Sequence, residues 1–227
     1  MNIISESKSY GIIDYDKFSI VEESLYSSVR PYHFLQIGKI LKRMFKNPKF
    51  IVDACAHIGG STINLAAIFP TAKFISIEIQ KTVFNKLQEN ILAFGFQKRI
   101  MPVNENCIPF LKKLSNINRN KPDFINIDPP WGGPSYTRIK KLMLNLENTT
   151  GRSIPIYDIV NDIFSRDSTD FITFKAPNNF DMDLFKKKVD KSMGVYPIYN
   201  KPPKERFKKT LSESKRRTVY YYIIIKK

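Results

Sequence analysis

The sequence predicts an α/β fold in which a mostly parallel sheet, covered by helices on both faces, ends in an antiparallel hairpin at its C-terminal edge. Short apolar runs alternate with helical patterns along the chain, as in parallel sheets. The last two predicted strands have no helix between them, which makes them antiparallel neighbours. At 227 residues, the chain can form one such domain. We expect an N-terminal arm over 1–30 and the domain over 31–227.

In the first half of the chain, each predicted strand is a short apolar run that leads into a helical pattern. From Pro31, apolar residues recur at helical spacing, and proline suits the first turn of a helix. The run FIVDA precedes Gly59 and Gly60, as a buried strand that enters a turn would. Pro70 and Gly95 end the next two helices. In chain order, the predicted segments are a helix from Pro31, a strand at 49–55, a helix at 60–69, a strand at 73–79 and a helix at 80–94.

The second half continues this alternation and then changes. The buried run PDFINID is followed by a loop rich in proline and glycine, and the closing runs GVYPIYN and RTVYYYIII flank a basic stretch at 201–216. We expect this stretch to be the loop of the edge hairpin. The predicted segments are a strand at 99–104, a helix at 107–115, a strand at 122–128, helices at 137–146 and 155–164, a strand at 170–175, a helix at 181–190, and strands at 194–200 and 217–225.

The charge of the chain favours a polyanionic partner. Thirty-seven Lys and Arg residues against twenty-one Asp and Glu give a net charge of +16. The alternative is compositional drift, because the chain is also rich in Ile and Asn, as AT-rich coding sequence tends to produce. Near the C-terminus, the basic residues form a block that we expect to bind phosphates, with a solvated loop as the alternative. This block contains Lys186, Lys187, Lys188, Lys191, Lys201, Lys204, Arg206, Lys208, Lys209, Lys215, Arg216 and Arg217.

Several classes of protein are disfavoured by composition. Two cysteines and two histidines provide neither a disulfide framework nor a zinc site. No stretch approaches the roughly 18 uncharged apolar residues that span a bilayer. The opening segment, MNIISESKSYGIIDYDK, lacks the basic and apolar regions of a signal peptide. We therefore expect a monomeric intracellular protein of the nucleus or cytoplasm, with no metal and no membrane partner.

The ends of the first three strands carry residues suited to an adenosine-containing ligand. Open parallel sheets bind ligands beyond the carboxyl ends of their strands. There, glycines let the backbone approach a ligand, a carboxylate can accept the hydroxyls of a ribose, and a short polar side chain can read an adenine. The candidate cofactor-binding residues are Asp53, Ala54, Gly59, Gly60, Thr62, Glu78, Asn106 and Asp128.

S-Adenosylmethionine fits these residues better than a nicotinamide dinucleotide does. A dinucleotide would need a G-x-G-x-x-G turn to hold its pyrophosphate at a helix N-terminus, and the stretch AHIGG lacks that spacing. Asp53 inside the turn would repel a pyrophosphate. The same carboxylate suits the cationic sulfonium and ammonium groups of S-adenosylmethionine.

The loop after the fourth strand predicts a site for an exocyclic amine. The sequence Asp128-Pro129-Pro130-Trp131 combines a carboxylate with backbone carbonyls. Its two prolines have no backbone N–H, so they add acceptors and no donors. Such a corner only accepts hydrogen bonds, which suits an –NH2 group with two donors. When Asp128 and the Pro129 carbonyl accept both hydrogens, the nitrogen lone pair is favoured to point at a methyl donor. Trp131 offers a flat face on which a base can stack. The plainer alternative is a proline-rich turn whose tryptophan fills the core.

These motifs resemble a known family. An Asp, Asn or Ser before Pro-Pro-aromatic is typical of Rossmann-like amino-methyltransferases. The string PPWGGPSY resembles more specifically the trimethylguanosine synthases, which methylate N2 of the 7-methylguanosine cap of RNA. Three further stretches resemble segments of that family, namely YSSVRP from Tyr26, DACAHIGGSTINLA from Asp53 and FKAPNNFD from Phe174.

The resemblance implies a Rossmann-like methyltransferase fold and a cap guanosine-N2 methyltransferase that binds capped RNA. Trp131 would stack on the cationic 7-methylguanine, Tyr136 and Asn178 would contact the substrate, and Asp128, Pro129 and Pro130 would form the catalytic corner. Asp53 and Glu78 would hold S-adenosylmethionine, with Asn106 near its adenine.

The chain departs from the family pattern at four positions. His57 stands where the turn usually has glycine, Asp128 replaces a common serine, Asn106 replaces an acidic residue, and Asn178 or its neighbour replaces an arginine. Asp128 leaves methylation of adenine N6, or of guanine N2 inside a nucleic acid, as an alternative. His57 and Asn178 leave open a non-catalytic cap- or RNA-binding module.

Overall fold

A computed structural model of the protein describes residues 14, 17–21, 31–117, 121–199 and 220–226. The strands are β1 (Phe50–Asp53), β2 (Lys73–Ile77), β3 (Ile100–Val103), β4 (Phe124–Ile127), β5 (Asn145–Glu147), β6 (Ser153–Pro155), β7 (Phe171–Pro177), β8 (Gly194–Tyr199) and β9 (Tyr220–Lys226). The α-helices are α1 (Pro31–Met44), α2 (Gly60–Ile68), α3 (Lys81–Ala93), α4 (Cys107–Ile117), α5 (Ile156–Ser165) and α6 (Met182–Lys188), and a 3-10 helix spans Pro134–Arg138.

Within these ranges, a seven-stranded sheet has the order β3-β2-β1-β4-β7-β9-β8. The first five strands in this order, β3, β2, β1, β4 and β7, are parallel to one another. Strand β9 runs antiparallel to both β7 and β8. This confirms the predicted fold class and the antiparallel pair at the C-terminal edge. The strand order reverses between β1 and β4, and such switch points are where open α/β sheets bind ligands.

Two apolar clusters cover the two faces of the sheet. One contains Phe34 and Leu41 of α1 together with side chains of α2 and α3. The other contains Val160 of α5 and Phe185 of α6 on the opposite face. Because buried apolar side chains occur on both faces, each parallel strand reads as a continuous apolar run in the sequence.

The predicted helix at 137–146 is wrong. After the 3-10 helix, the chain extends and forms the antiparallel hairpin β5–β6. Leu142, Leu144 and Leu146 are buried and alternate with less buried neighbours, so the apolar period is that of a strand and not that of a helix. Asn148 closes the turn, since its Oδ1 accepts hydrogen bonds from the backbone N–H groups of Thr150 and Arg152. The helix predicted at 155–164 is present as α5.

Two predicted segments lie largely outside the described residues. The hairpin loop at 201–216 is one of them, so its phosphate-binding role stays a prediction. The predicted arm over 1–30 is described only at 14 and 17–21. There, Ser19 exchanges hydrogen bonds with the side chain of Asn90 on α3. No α-helix in the described ranges is long and apolar enough to cross a membrane.

Candidate active site

The predicted site residues converge at the carboxyl ends of three neighbouring strands. Asp53 ends β1, Glu78 follows β2 and Asp128 follows β4. Since β1 pairs with both β2 and β4, these carboxylates lie on adjacent strands at one edge of the sheet. The prediction that they belong to one site is therefore compatible with the topology.

Asp53 is the centre of a buried polar network. Its carboxylate has no exposed surface. Oδ2 accepts a hydrogen bond from Thr62 Oγ1 at 2.6 Å, and Oδ1 accepts one from Asn126 Nδ2 at 3.0 Å. Thr173 Oγ1 in turn donates to Asn126 Oδ1 at 3.0 Å. The sequence predictions missed Asn126 and Thr173. Each is a polar residue within a buried apolar strand, and a buried polar side chain needs a hydrogen-bond partner.

The charge of Asp53 is only partly compensated. Burial raises the pKa of Asp53 to about 6, against the opposing effect of the hydrogen bonds from Thr62 and Asn126. Both oxygens are engaged inside the protein, so this carboxylate would act on a ligand through its charge. A cationic ligand at this edge of the sheet would offset the cost of the buried negative charge.

Glu78 links two turns and keeps capacity for a ligand. Oε2 accepts a hydrogen bond from the His57 N–H at 2.9 Å, and Oε1 accepts one from the Gln80 N–H at 2.8 Å. Burial raises the pKa of Glu78, and these backbone hydrogen bonds oppose that effect. A carboxylate has about four acceptor positions. The backbone N–H of Ile79 also interacts with this carboxylate, so acceptor capacity remains for a hydroxyl of a ribose.

The turn between β1 and α2, which carries predicted cofactor-binding residues, uses left-handed backbone at two positions. His57 has φ of +52° and Gly59 has φ of +93°. At Gly59, an added Cβ would also lie 2.8 Å from Leu87 Cδ1, so glycine is required on both grounds. At Gly60, an added Cβ would meet no atom within 4 Å, which leaves room beside the first turn of α2. Ala54 is buried beneath this turn.

Because His57 occupies a backbone conformation that glycine adopts without strain, His57→Gly is expected to stabilise the protein. Left-handed backbone costs an L-residue roughly 1–2 kcal/mol, and the greater freedom of glycine when unfolded returns about 0.5–1 kcal/mol of this. We expect a net gain of up to about 1.5 kcal/mol, measured as a higher urea midpoint with an unchanged slope. Gly59→Ala is the matched control and should lower the midpoint; a lower midpoint for His57→Gly would contradict the prediction.

Asn106 is engaged in local structure. Its Nδ2 donates to the Glu147 carbonyl at 2.7 Å, and its Oδ1 accepts from the Ile108 N–H at 2.9 Å. The side chain thus joins the start of α4 to the hairpin. Its neighbour Asn104 donates to the carbonyls of Glu78 and Ile79. The contact of Asn106 with an adenine stays a prediction.

Asp128 is paired with a lysine that the sequence predictions missed. Lys175 Nζ lies 2.5 Å from Asp128 Oδ2, and the two side chains are only 5% and 19% exposed. The pairing follows from the register, since Ile127 of β4 is opposite Phe174 of β7 and the next residues are therefore neighbours. The signal was a single lysine within the buried run FITFKAP, because a buried lysine needs a partner.

Trp131 lies beside this ion pair. Its ring centroid is 5.2 Å from Lys175 Nζ and 5.2 Å from the ring centroid of Tyr136, with an angle of 78° between the rings. The ring is half-buried. Gly132 and Gly133 follow with φ of +84° and +70°, a conformation that accounts for both glycines after the tryptophan.

A neighbouring asparagine fixes the loop that carries Tyr136. Asn179 Nδ2 donates to the carbonyls of Tyr136 and Ile139 at 2.8 and 2.7 Å. Asn178, the predicted substrate contact, is exposed one residue earlier. The structure thus joins the end of β7 to the loop after β4 through Asn179, and leaves the role of Asn178 a prediction.

Comparison with known proteins decides the family. Residues 48–224 match the family model described as RNA cap guanine-N2 methyltransferase. The chain belongs to this family. The match covers the strands from β1 to β8 and most of β9, so it includes every candidate site residue, and it confirms the resemblance to trimethylguanosine synthases.

Two curated proteins are similar to this chain. The trimethylguanosine synthase of Schizosaccharomyces pombe is 26% identical over 203 residues, which are 86% of this chain and 77% of that protein. An uncharacterized protein of Acanthamoeba polyphaga mimivirus is 24% identical over 136 residues, or 60% of this chain. The match spans about half of the viral protein, 48% of its length.

Solved structures share the fold of this cap guanine-N2 methyltransferase family member. A precorrin-6y C5,15-methyltransferase from Geobacter metallireducens has a TM-score of 0.60 at 14% identity, covering 95% of this chain and 97% of its own. An O-methyltransferase from Bacillus cereus in complex with SAH has a TM-score of 0.62 at 10% identity, covering 99% and 97%. The fold is therefore that of Rossmann-like methyltransferases. Together with the family, it makes the protein an S-adenosylmethionine-dependent methyltransferase.

The residues present fit S-adenosylmethionine. Asp53 supplies negative charge that is only partly compensated, Glu78 has acceptor capacity left, and Gly60 leaves open space at the start of α2. When bound, the cofactor supplies an electrophilic methyl group on a sulfonium. In the described ranges, His, Cys, Asp and Glu residues form no group of three or more that could hold a metal ion.

The affinity for S-adenosylmethionine is expected to rise as pH increases from 5 to 7. Asp53 binds a proton with a pKa of about 6, and only its ionised form attracts the sulfonium. Below that pH, the loss could reach about tenfold per pH unit. Calorimetry with S-adenosylhomocysteine, whose sulfur is neutral, is the ligand control, because its affinity should change less.

The Asp53→Asn variant isolates this carboxylate from Glu78, which also titrates with a raised pKa. Its affinity for S-adenosylmethionine should be lower at pH 7 and should depend less on pH than that of the native protein, with Glu78 responsible for the dependence that remains. Its stability should change in the opposite direction. A raised folded-state pKa means that stability falls as pH rises from about 3.8 to about 6, so Asp53→Asn should be the more stable protein at pH 7. Equal pH dependence in both proteins would contradict the assignment.

Proposed function

We propose that the protein transfers a methyl group from S-adenosylmethionine to N2 of a 7-methylguanosine RNA cap. The observation that carries this proposal is the corner after β4, where the partly buried carboxylate of Asp128 lies beside two prolines and the half-buried ring of Trp131. The corner combines acceptors for an amine with a surface on which its base can stack. The family of the chain supports the same substrate class.

In this reaction, Asp128 and the Pro129 carbonyl accept the two N2 hydrogens. An exocyclic amine is a poor nucleophile because its lone pair is delocalised into the ring. Two acceptors favour a pyramidal nitrogen whose lone pair is directed at the methyl carbon. The gain comes from alignment, which can contribute up to about 7–11 kcal/mol. Pro130, which is exposed, removes a second backbone donor from the corner.

Trp131 would select the methylated base. 7-Methylguanine is cationic, and a cation over an indole gains roughly 0.5–2 kcal/mol beyond plain stacking. Tyr136 and Asn178 border this loop and would contact the cap. Further along the same loop, three exposed basic residues stand where cap phosphates could be bound, namely Arg138, Lys140 and Lys141.

The test offers cap analogues with and without the N7 methyl group, together with a labelled methyl donor. We expect labelled N2-methylated product from the 7-methylguanosine analogue and little from the plain guanosine analogue. Equal methylation of both would contradict selection of the cationic base. Capped RNA, the proposed partner, exists in both nucleus and cytoplasm, so the reaction leaves both compartments open.

A second candidate function is methylation of adenine N6 or of guanine N2 within a nucleic acid. Asp128 favours it, because serine is common at this position among trimethylguanosine synthases and Asp-Pro-Pro-aromatic is typical of adenine-N6 enzymes. Uncapped RNA and DNA oligonucleotides belong in the same assay, and product from these alone would favour this function. The remaining alternative from the sequence, a non-catalytic cap- or RNA-binding module, is disfavoured because the family and the fold make the protein an S-adenosylmethionine-dependent methyltransferase.

A further inference from the structure

Lys175 is a buried cation that the proposed reaction does not use. It lies in the middle of β7, the strand beside the reacting corner, and is 4% exposed. Burying an ammonium group is costly unless it is paired and hydrogen-bonded. Its pairing with Asp128 therefore has a consequence for the carboxylate that would hold the substrate amine.

The geometry divides the Asp128 carboxylate into two unequal oxygens. Oδ2 accepts the hydrogen bond from Lys175 Nζ at 2.5 Å. Oδ1 accepts none from the part of the chain that the structure describes. Because Lys175 holds one oxygen against β7, the other is directed away from this strand and is available to an N–H of the substrate.

The charges around Asp128 come from two neighbouring strands. Lys175 faces it from β7. From β1 and the turn after it, Asp53 and the Cys55 thiol interact with it electrostatically. Burial raises the pKa of Asp128, while Lys175 opposes this by its charge and by its hydrogen bond. Among these groups, Lys175 carries a positive charge that favours the ionised form of Asp128, whereas the carboxylate of Asp53 disfavours it.

We propose that Lys175 is a positioning residue that keeps Asp128 ionised and turns Oδ1 toward the substrate amine. A protonated Asp128 would carry an O–H donor into a corner that must only accept hydrogen bonds. It would then repel one N–H of the amine instead of accepting from it. This inference rests on the proposed function only where it assigns Asp128 to the amine; the ionisation of Asp128 is independent of the substrate.

The first experiment measures ionisation without any substrate. The carboxyl carbon of Asp128 is followed by 13C NMR against pH in the native protein and in Lys175→Gln and Lys175→Met, with Asp128→Asn identifying the signal. Removing the charge should raise the titration midpoint by about 1–3 pH units. The same midpoint in the native protein and in the variants would overturn the proposal, whatever the enzyme methylates.

Two variants guard against a loss of folding. Lys175→Gln removes the charge and keeps an N–H donor, on a side chain that is one bond shorter. The double variant Asp128→Asn/Lys175→Met removes both charges, and so avoids the unpaired buried carboxylate that makes the single lysine change costly. Lys175→Arg keeps the positive charge and should leave the midpoint near that of the native protein.

The second experiment measures turnover on the substrate that the native enzyme accepts. In Lys175→Gln, kcat at pH 7 should fall in proportion to the fraction of Asp128 that has become protonated, and the acidic limb of the pH–kcat profile should move to higher pH, so that activity returns as pH rises. In the Asp128→Asn background, Lys175→Met should change kcat little, because no charge is left to control. If Lys175→Gln lowered kcat equally at every pH, or if Lys175→Met lowered kcat by the same factor in the Asp128→Asn background, Lys175 would have only a structural role.

The two experiments separate the failures. If the native enzyme ignores capped substrates while the NMR midpoint still depends on Lys175, the proposed function is wrong and the control of Asp128 by Lys175 stands. If the native enzyme methylates the cap while the midpoint is unchanged in Lys175→Gln, the proposed function stands and the control of Asp128 by Lys175 is wrong.

Discussion

Asp128→Ala is expected to lower kcat about 10²–10³-fold, the scale found when a preorganised electrostatic partner of a transition state is removed. The reason is that an alanine leaves the Pro129 carbonyl as the only acceptor of the pair, so the amine nitrogen keeps its lone pair in the ring. Single-turnover methylation of the 7-methylguanosine analogue measures this loss. The affinity for S-adenosylmethionine, measured by calorimetry, should fall much less.

The control for this prediction must account for Lys175. Asp128→Ala leaves that ammonium buried without its carboxylate, and breaking a buried ion pair typically costs about 3–5 kcal/mol of stability. Asp128→Ala/Lys175→Met removes the unpaired charge and should recover stability without recovering kcat. Asp128→Ser places the residue common in the family at this position and should retain more activity than alanine. A loss of cofactor affinity larger than the loss of turnover would place Asp128 outside the reacting centre.

Much of the fold could be predicted because its signals are local. The parallel strands are buried on both faces, so FIVD and FINI read as continuous apolar runs. Helices end at residues that terminate them in any context, as α3 does before Gly95 with φ of +73°. The error at 137–146 arose where two periods compete, because leucines at alternate positions also satisfy part of a helical pattern.

The candidate site could be predicted only in part, because its missed members depend on register. Nothing in the sequence states that position 128 lies opposite position 175; that follows from the pairing of β4 with β7. The same is true of Asn126 and Thr173, which complete the network around Asp53. A polar residue in a buried strand is expected to have a hydrogen-bond partner, but only the strand order and register identify that partner.

The departures from the family pattern have different physical meanings. His57 adopts the left-handed backbone that a glycine would, so the turn is kept at the cost of strain. Asp128 puts a carboxylate where the family commonly has serine, and in this chain Lys175 offsets the charge of that carboxylate. The first departure concerns the cofactor turn and the second the reacting corner.

Trp131→Ala is expected to reduce kcat/KM for a 7-methylguanosine cap analogue by about 5- to 150-fold. Stacking of a base on an aromatic side chain is worth about 1–3 kcal/mol, and the cationic base adds the gain over plain guanine. The loss should be smaller for the plain guanosine analogue, so the preference for the N7 methyl group should shrink in the variant. The affinity for S-adenosylmethionine is measured in parallel.

Trp131→Phe is the matched control, since it keeps an aromatic face with a weaker attraction for cations. Its activity and its preference for the methylated cap should both be intermediate. The Trp131 ring also lies 5.2 Å from Lys175 Nζ, so part of its face already interacts with a cation. Asp128, ion-paired to that ammonium, offsets its charge, which is why a second cation can still stack nearby. If alanine and tryptophan discriminate equally between the two caps, the base does not stack on Trp131 and selection must lie elsewhere in the loop.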